Sequence, residues 1–159
     1  MTGGARAAFV HPTALVEEGV VLGPGTAVWD NAHLRSGARV GEDCIVGEKS
    51  YLAPGVVVGD RVKINAFVYL CTGVTLEDGV MVSAGTVFTN DRYPRATTPD
   101  LGALRPSEPD ESTRPTWVRR GATIGAGCVV GEAVGVLSCG VIGCAPSPRS
   151  SRARRGRRR

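Results

Sequence analysis

From Val10 an aliphatic residue returns at every sixth position without a slip: Val10, Val16, Leu22, Val28, Leu34, Val40, Val46, Leu52, Val58, Ile64, Leu70, Leu76 and Val82. Four places after each stands a small or β-branched residue, from Ala14, Val20 and Thr26 through to Val80 and Thr86. The third place after the aliphatic is glycine in seven hexads, at Gly19, Gly25, Gly37, Gly55, Gly73, Gly79 and Gly85. A period of six is neither the 3.6 of a helix nor the 2.0 of a strand. It reads as one short strand and one turn per hexad, stacked into an all-β solenoid. The aliphatic and its smaller companion point inward and fill a narrow interior. The glycine sits where the turn calls for φ > 0.

The rhythm stops at Phe88 and is missing until Thr116, so residues 88–116 read as one long loop insertion. Five of the ten prolines fall there: Pro94, Pro99, Pro106, Pro109 and Pro115. A loop of this length in a compact domain is usually functional or disordered. Its early part, Phe88-Thr-Asn-Asp-Arg-Tyr-Pro-Arg, is expected to be ordered against something. Hexads resume at Val118 and Ile124, then decay after Val130 into Pro/Ser/Arg-rich sequence. We therefore read one domain over 1–144 and a disordered basic tail over 145–159. The change of composition after about Glu132 resembles a shifted reading frame of a GC-rich gene, and a C-terminally altered chain is the expectation that follows.

Charge sharpens this division. The formal net charge is +4, but seven of the nineteen basic residues are arginines in the last eleven positions. Without them 12 basic residues face 15 acidic ones. The body is mildly acidic, and no nucleic-acid footprint is expected from it. The start, MTGGARAAFV, lacks a basic region followed by an apolar run, and no apolar stretch has membrane-spanning length. A cytoplasmic protein with no membrane partner is the expectation. The five cysteines include no CxxC pair, and Cys44 and Cys128 fall at inward small positions, where they act as core filler.

Six segments carry a resemblance: HPTALVEEG (11–19), Val28-Trp29 with His33, GDRVKI (59–64), VTLEDGV (74–80), VFTNDRYPRA (87–96) and VRRGATIGAGC (118–128). Together they resemble the hexapeptide-repeat acyltransferases. Within that family they are most similar to the WbpD/WlbB type, which N-acetylates nucleotide-linked amino sugars for bacterial surface polysaccharides. The resemblance implies a left-handed parallel β-helix with three hexads to the coil. It also implies a homotrimer, acetyl-CoA as acyl donor and no metal. A groove between neighbouring subunits, roofed by the long loop, would hold the thioester.

Candidate site residues follow from that reading. A neutral amine needs alignment on the thioester carbonyl and stabilisation of the oxyanion, whereas a hydroxyl needs a strong base as well. The only histidines are His11 and His33, and the loop has none. Asn90 stands where a loop histidine would be expected. An amide is no base but can orient an amine, which favours an amine acceptor. By resemblance, Asn90 matches an asparagine implicated in catalysis, and its other reading is a turn-holding loop residue. His33 is the second catalytic candidate, as a proton shuttle. Glu48, Asn65, Asp91 and Arg92 are candidates for substrate binding. Ser83, Gly125 and Ala126 are carried over from coil position as cofactor-groove residues. Tyr51 and Tyr69 point outward and either stack a uracil or pack against a neighbouring subunit. The alternatives are a truncated, non-catalytic scaffold and an O-acetyltransferase of the same fold. A γ-type carbonic anhydrase would need three zinc-binding histidines, one more than the chain has.

Overall fold

The computed structural model of the chain describes residues 6–92, 94–106, 109–110, 113–131 and 135–143. The basic tail at 145–159 lies outside the described residues, as does the reading-frame question it raised.

Nineteen short strands are described, almost all of two residues. The first coil has β1 (Phe9–Val10), β2 (Leu15–Val16) and β3 (Val21–Leu22). The next two add β4 (Ala27–Val28), β5 (His33–Leu34), β6 (Arg39–Val40), β7 (Ile45–Val46), β8 (Tyr51–Leu52) and β9 (Val57–Val58). Then come β10 (Lys63–Ile64), β11 (Tyr69–Leu70), β12 (Val74–Leu76), β13 (Met81–Val82) and β14 (Val87–Phe88). After the loop follow β15 (Thr116–Val118), β16 (Thr123–Ile124), β17 (Val129–Val130), β18 (Gly135–Val136) and β19 (Val141–Ile142). Every third strand pairs in parallel, giving three faces of seven, six and six strands. We call them first, second and third, after β1, β2 and β3. The result is a parallel β-solenoid of about seven turns, as the hexads predict.

Register partners are 18 residues apart, as in Phe9 with Ala27 and Ala27 with Ile45. Across the loop the separation is 42, as in Met81 with Thr123. The loop therefore adds 24 residues, a whole number of hexads, and the inward phase survives it. Val28, Leu34, Val46, Leu52, Ile64, Leu70, Leu76, Val82, Val118 and Ile124 are all fully buried.

One boundary needs correction. Phe88 was expected to break the repeat, but it is the fourteenth inward residue in phase, fully buried in β14. Thr116 is likewise buried in β15. The loop proper is 89–115. A phenylalanine satisfies the inward position because burial, not aliphatic character, is what the position selects.

The corners explain two classes of glycine. Third after the inward residue the backbone is left-handed, as at Gly55 (φ 71°). Asn31, Asp43, Lys49, Arg61, Phe67 and Cys139 hold the equivalent place at φ between 52° and 58°. A different constraint acts at Gly47, directly after β7, where an added Cβ would sit 2.6 Å from the Asn65 carbonyl carbon of the next coil. That glycine is demanded by the close approach of stacked backbones.

Some inward small residues also bond. Thr26 Oγ1 donates to Gly41 O (2.7 Å) and accepts from Cys44 N (3.0 Å). Ser50 Oγ does the same with Asn65 O and Val68 N. Cys44 Sγ lies 3.0 Å from Gly59 O, and burial pushes its thiol pKa up. These groups tie successive coils together where the strand ladder is interrupted by a corner.

Candidate functional site

The loop leaves the second face after β14 and returns on the third face at β15. Between them Thr97 and Leu104 form an antiparallel bridge, closed by Thr98 N donating to Ala103 O (2.9 Å) and Arg105 N to Ala96 O (3.0 Å). This part of the loop is ordered as a small hairpin. Beneath the loop lies a cavity of about 790 Å³, its floor formed by outward side chains of the second face.

That floor is a ladder of rings. His33, Tyr51 and Tyr69 occupy the same outward place on β5, β8 and β11. Tyr51 and Tyr69 stack with centroids 5.1 Å apart and planes 5° from parallel. His33 meets Tyr51 edge-on at 5.3 Å. Below, Glu17 accepts from Ser36 N (2.8 Å) and bonds His33 Nε2 (2.8 Å). Arg35 Nε lies 2.5 Å from Glu17 Oε1, an ion-pair distance without hydrogen-bond alignment, and Arg35 Nη1 donates to Tyr51 Oη (2.8 Å). The Ser36 amide and then His33 hold the Glu17 carboxyl below the usual carboxylate range. The Tyr51 hydroxyl and the Glu17 charge raise the Arg35 pKa further.

Asn90 lines the cavity, and its Nδ2 donates to Thr72 O (3.1 Å) across the corner that Gly73 turns. Its amide thus holds a turn while Oδ1 is left to accept from a bound group. Asp91 also lines the cavity, whereas Arg92 is not among the lining residues. Cys71 is buried at the cavity wall, and burial pushes its thiol pKa up to about 11.

The remaining candidates gather elsewhere. Asn65, Ser83 and Gly125 take the first corner place after β10, β13 and β16, stacked by Asn65 N to Val82 O and Ser83 N to Ile124 O (both 2.9 Å). Glu48 and Ala126 take the second place on the same edge. A shallower hollow of about 490 Å³ runs there, lined by Trp29, Ile45, Glu48, Asn65, Ala66 and Ala84. The edge joins the first and second faces, while the loop rises from the junction of the second and third. Within one chain, then, Asn90 and Asp91 are brought together, and so are Glu48, Asn65, Ser83, Gly125 and Ala126. The width of the second face separates the two groups. His33 belongs to neither and touches the cavity only through Tyr51.

Sequence reasoning missed Glu17, Arg35 and Cys71. The signal that finds the ring ladder is the 18-residue spacing of His33, Tyr51 and Tyr69. Among the described residues no group of three or more His, Cys, Asp or Glu is placed to hold a metal ion. No described helix is long and apolar enough to cross a membrane.

The model of the bacterial transferase hexapeptide, six repeats, matches residues 55–90. The hexapeptide repeat of succinyl-transferase matches 37–71. Between them the two hexapeptide-repeat models match residues 37–90. Among solved structures, the chain is similar to WeeI from Acinetobacter baumannii, with 22% identity, 88% of this chain, 53% of that one and a TM-score of 0.61. That likeness carries the hexapeptide fold. PerB from Caulobacter crescentus, solved with CoA and GDP-perosamine, aligns at 21% identity over 89% of this chain and 56% of its own, with a TM-score of 0.45. The acetyltransferase domain of PglB from Neisseria gonorrhoeae, solved with acetyl coenzyme A, aligns at 17% over 86% and 51%, with a TM-score of 0.34. The hexapeptide chain spans about half the length of these structures. No curated protein matches it in sequence.

Proposed function

We propose that this chain is an acetyl-CoA-dependent N-acetyltransferase acting on the amino group of a nucleotide-linked amino sugar, in the cytoplasmic steps of bacterial surface-polysaccharide synthesis. The observation that carries the reading is the cavity beneath the loop: Asn90 sits in its wall, and its described lining residues include no histidine. The amine's lone pair forms the N–C bond, the carbonyl pair moves to oxygen, and collapse of the tetrahedral adduct breaks the C–S bond. Asn90 Oδ1 accepts an amine N–H and fixes the attack direction. The proton lost by nitrogen ends on the departing thiolate, so the products are the amide and the free thiol.

The separation of the two residue groups supports a homotrimer. In such an assembly the edge bearing Ser83, Gly125 and Ala126 in one copy faces the loop cavity of the next. Acetyl-CoA lies along that edge, with Glu48, Asn65, Asp91 and Arg92 around the acceptor.

A thiol-release assay with acetyl-CoA and a panel of UDP- and dTDP-amino sugars tests this. One sugar should release thiol, and Asn90→Ala should cut kcat by at least about 100-fold. Mixing Asn90→Ala with an inactive Gly125→Trp variant should restore part of the activity if the site lies between copies. Silence from folded, trimeric protein across the panel would leave a non-catalytic scaffold.

A further inference from the structure

Among the described residues, the ring ladder on the second face ends one rung short. His33, Tyr51 and Tyr69 rise coil by coil, and β-strand spacing sets about 4.8 Å between rungs. The next outward residue in register is Val87, facing the solvent side of β14 and 37% exposed. A valine branches at Cβ and does not reach over a phenol ring. Among the described residues no ring other than Tyr51 stacks on Tyr69, which lines the cavity together with Asn90. Tyr69 is 42% exposed, and burial of the rest pushes its hydroxyl pKa up, so the phenol stays protonated as a donor. Around this gap, Arg35, Arg95 and Arg105 line the cavity against the carboxylates of Asp91 and Asp110. A flat aromatic surface bordered by guanidinium groups suits a planar base that carries phosphate.

We infer that the missing rung is a nucleobase: a nucleoside diphosphate stacks on Tyr69 above Val87, with its phosphates toward Arg35 and Arg95. This deepens the reading above and rests on it for the ligand's role, but the slot stands on binding alone. Two sources share this chemistry, the acceptor's nucleotide and the adenosine diphosphate end of the acyl donor.

Calorimetric titration of the full chain with UDP, dTDP, GDP and 3′,5′-ADP tests it. Tyr69→Leu should weaken the bound nucleotide about tenfold, and Tyr69→Phe should keep most of the affinity. The sharper variant is Val87→Tyr, which supplies the fourth ring from the protein itself. It removes no contact yet should abolish binding, while Val87→Ala should leave binding intact. Preference for the pyrimidine or guanine diphosphates assigns the slot to the acceptor, and preference for 3′,5′-ADP assigns it to the donor. Circular dichroism and light scattering confirm that each variant keeps its fold and mass. Wild-type affinity in Tyr69→Leu and Val87→Tyr, or no nucleotide binding by the folded protein, overturns the inference. Thiol release separates the two claims. Nucleotide binding unaffected by Val87→Tyr, in protein that turns over an amino sugar, sinks the slot and spares the activity. Binding at the slot without turnover of any acceptor sinks the activity and spares the slot.

Discussion

At the scale of single residues, two glycines of the same solenoid answer to different physics. Gly47 has no room for a Cβ, so Gly47→Ala should cost about 2–3 kcal/mol through overlap with the Asn65 backbone. Gly55 has empty space around it but φ of 71°, so Gly55→Ala should cost only about 1 kcal/mol. Denaturant midpoints of the two variants check the ordering, and equal losses would mean that stacking distance is not the constraint. Inward threonines divide in the same way. Thr26→Val strands Gly41 O and Cys44 N and should cost about 2 kcal/mol. Thr116 Oγ1 is buried and finds no partner among the described residues. Thr116→Val should therefore be neutral or stabilise by up to about 1 kcal/mol in a thermal melt.

At the scale of elements, carboxylates clamp one coil to the next. Glu17 accepts from Ser36 N, and Glu77 accepts from Arg120 N while pairing with Arg119 (2.6 Å). Both folded-state pKa values lie below the ordinary 4.5, Glu77 chiefly through its Arg119 hydrogen bond. A depressed carboxyl stabilises the fold above its unfolded pKa and loses that contribution as pH falls through the folded one. Glu17→Gln and Glu77→Gln should thus lower Tm at pH 7, and the gap from wild type should close by about pH 3. A gap that persists in acid would show that ionisation is not what the clamps use. Much of this layer was legible beforehand. The hexads fixed which residues point inward, and the six-residue phase located each corner. Phe88 was misread because an aromatic stood where aliphatics had stood. Thr26, Ser50 and Cys44 were read as filler because a hydroxyl's partner comes from the next coil, 15 or 18 residues on, which a local pattern does not display. Asn90 was found from its neighbours in sequence, whereas Arg35 and Glu17 were not, because only folding brings them to the Tyr51 rung.

At the scale of the whole molecule, stability is a sum over neighbouring coils. The inward Val10 of the first coil is 39% exposed, against 0% for Val28 and Val46 further along. Amide hydrogen exchange should accordingly be slowest between Val28 and Val82 and quicken toward Phe9. Uniform protection along the stack would mean that the coils unfold as one unit. The loop has a different bearing. It fills a single corner between the second and third faces, and the chain resumes in the same inward phase whether three residues or twenty-seven turn that corner. The stack thus acts as a socket with a standard fitting. A hairpin of another length or chemistry can be exchanged there without rewriting the interior, so what the cavity beneath it admits can drift while the scaffold that presents it stays fixed.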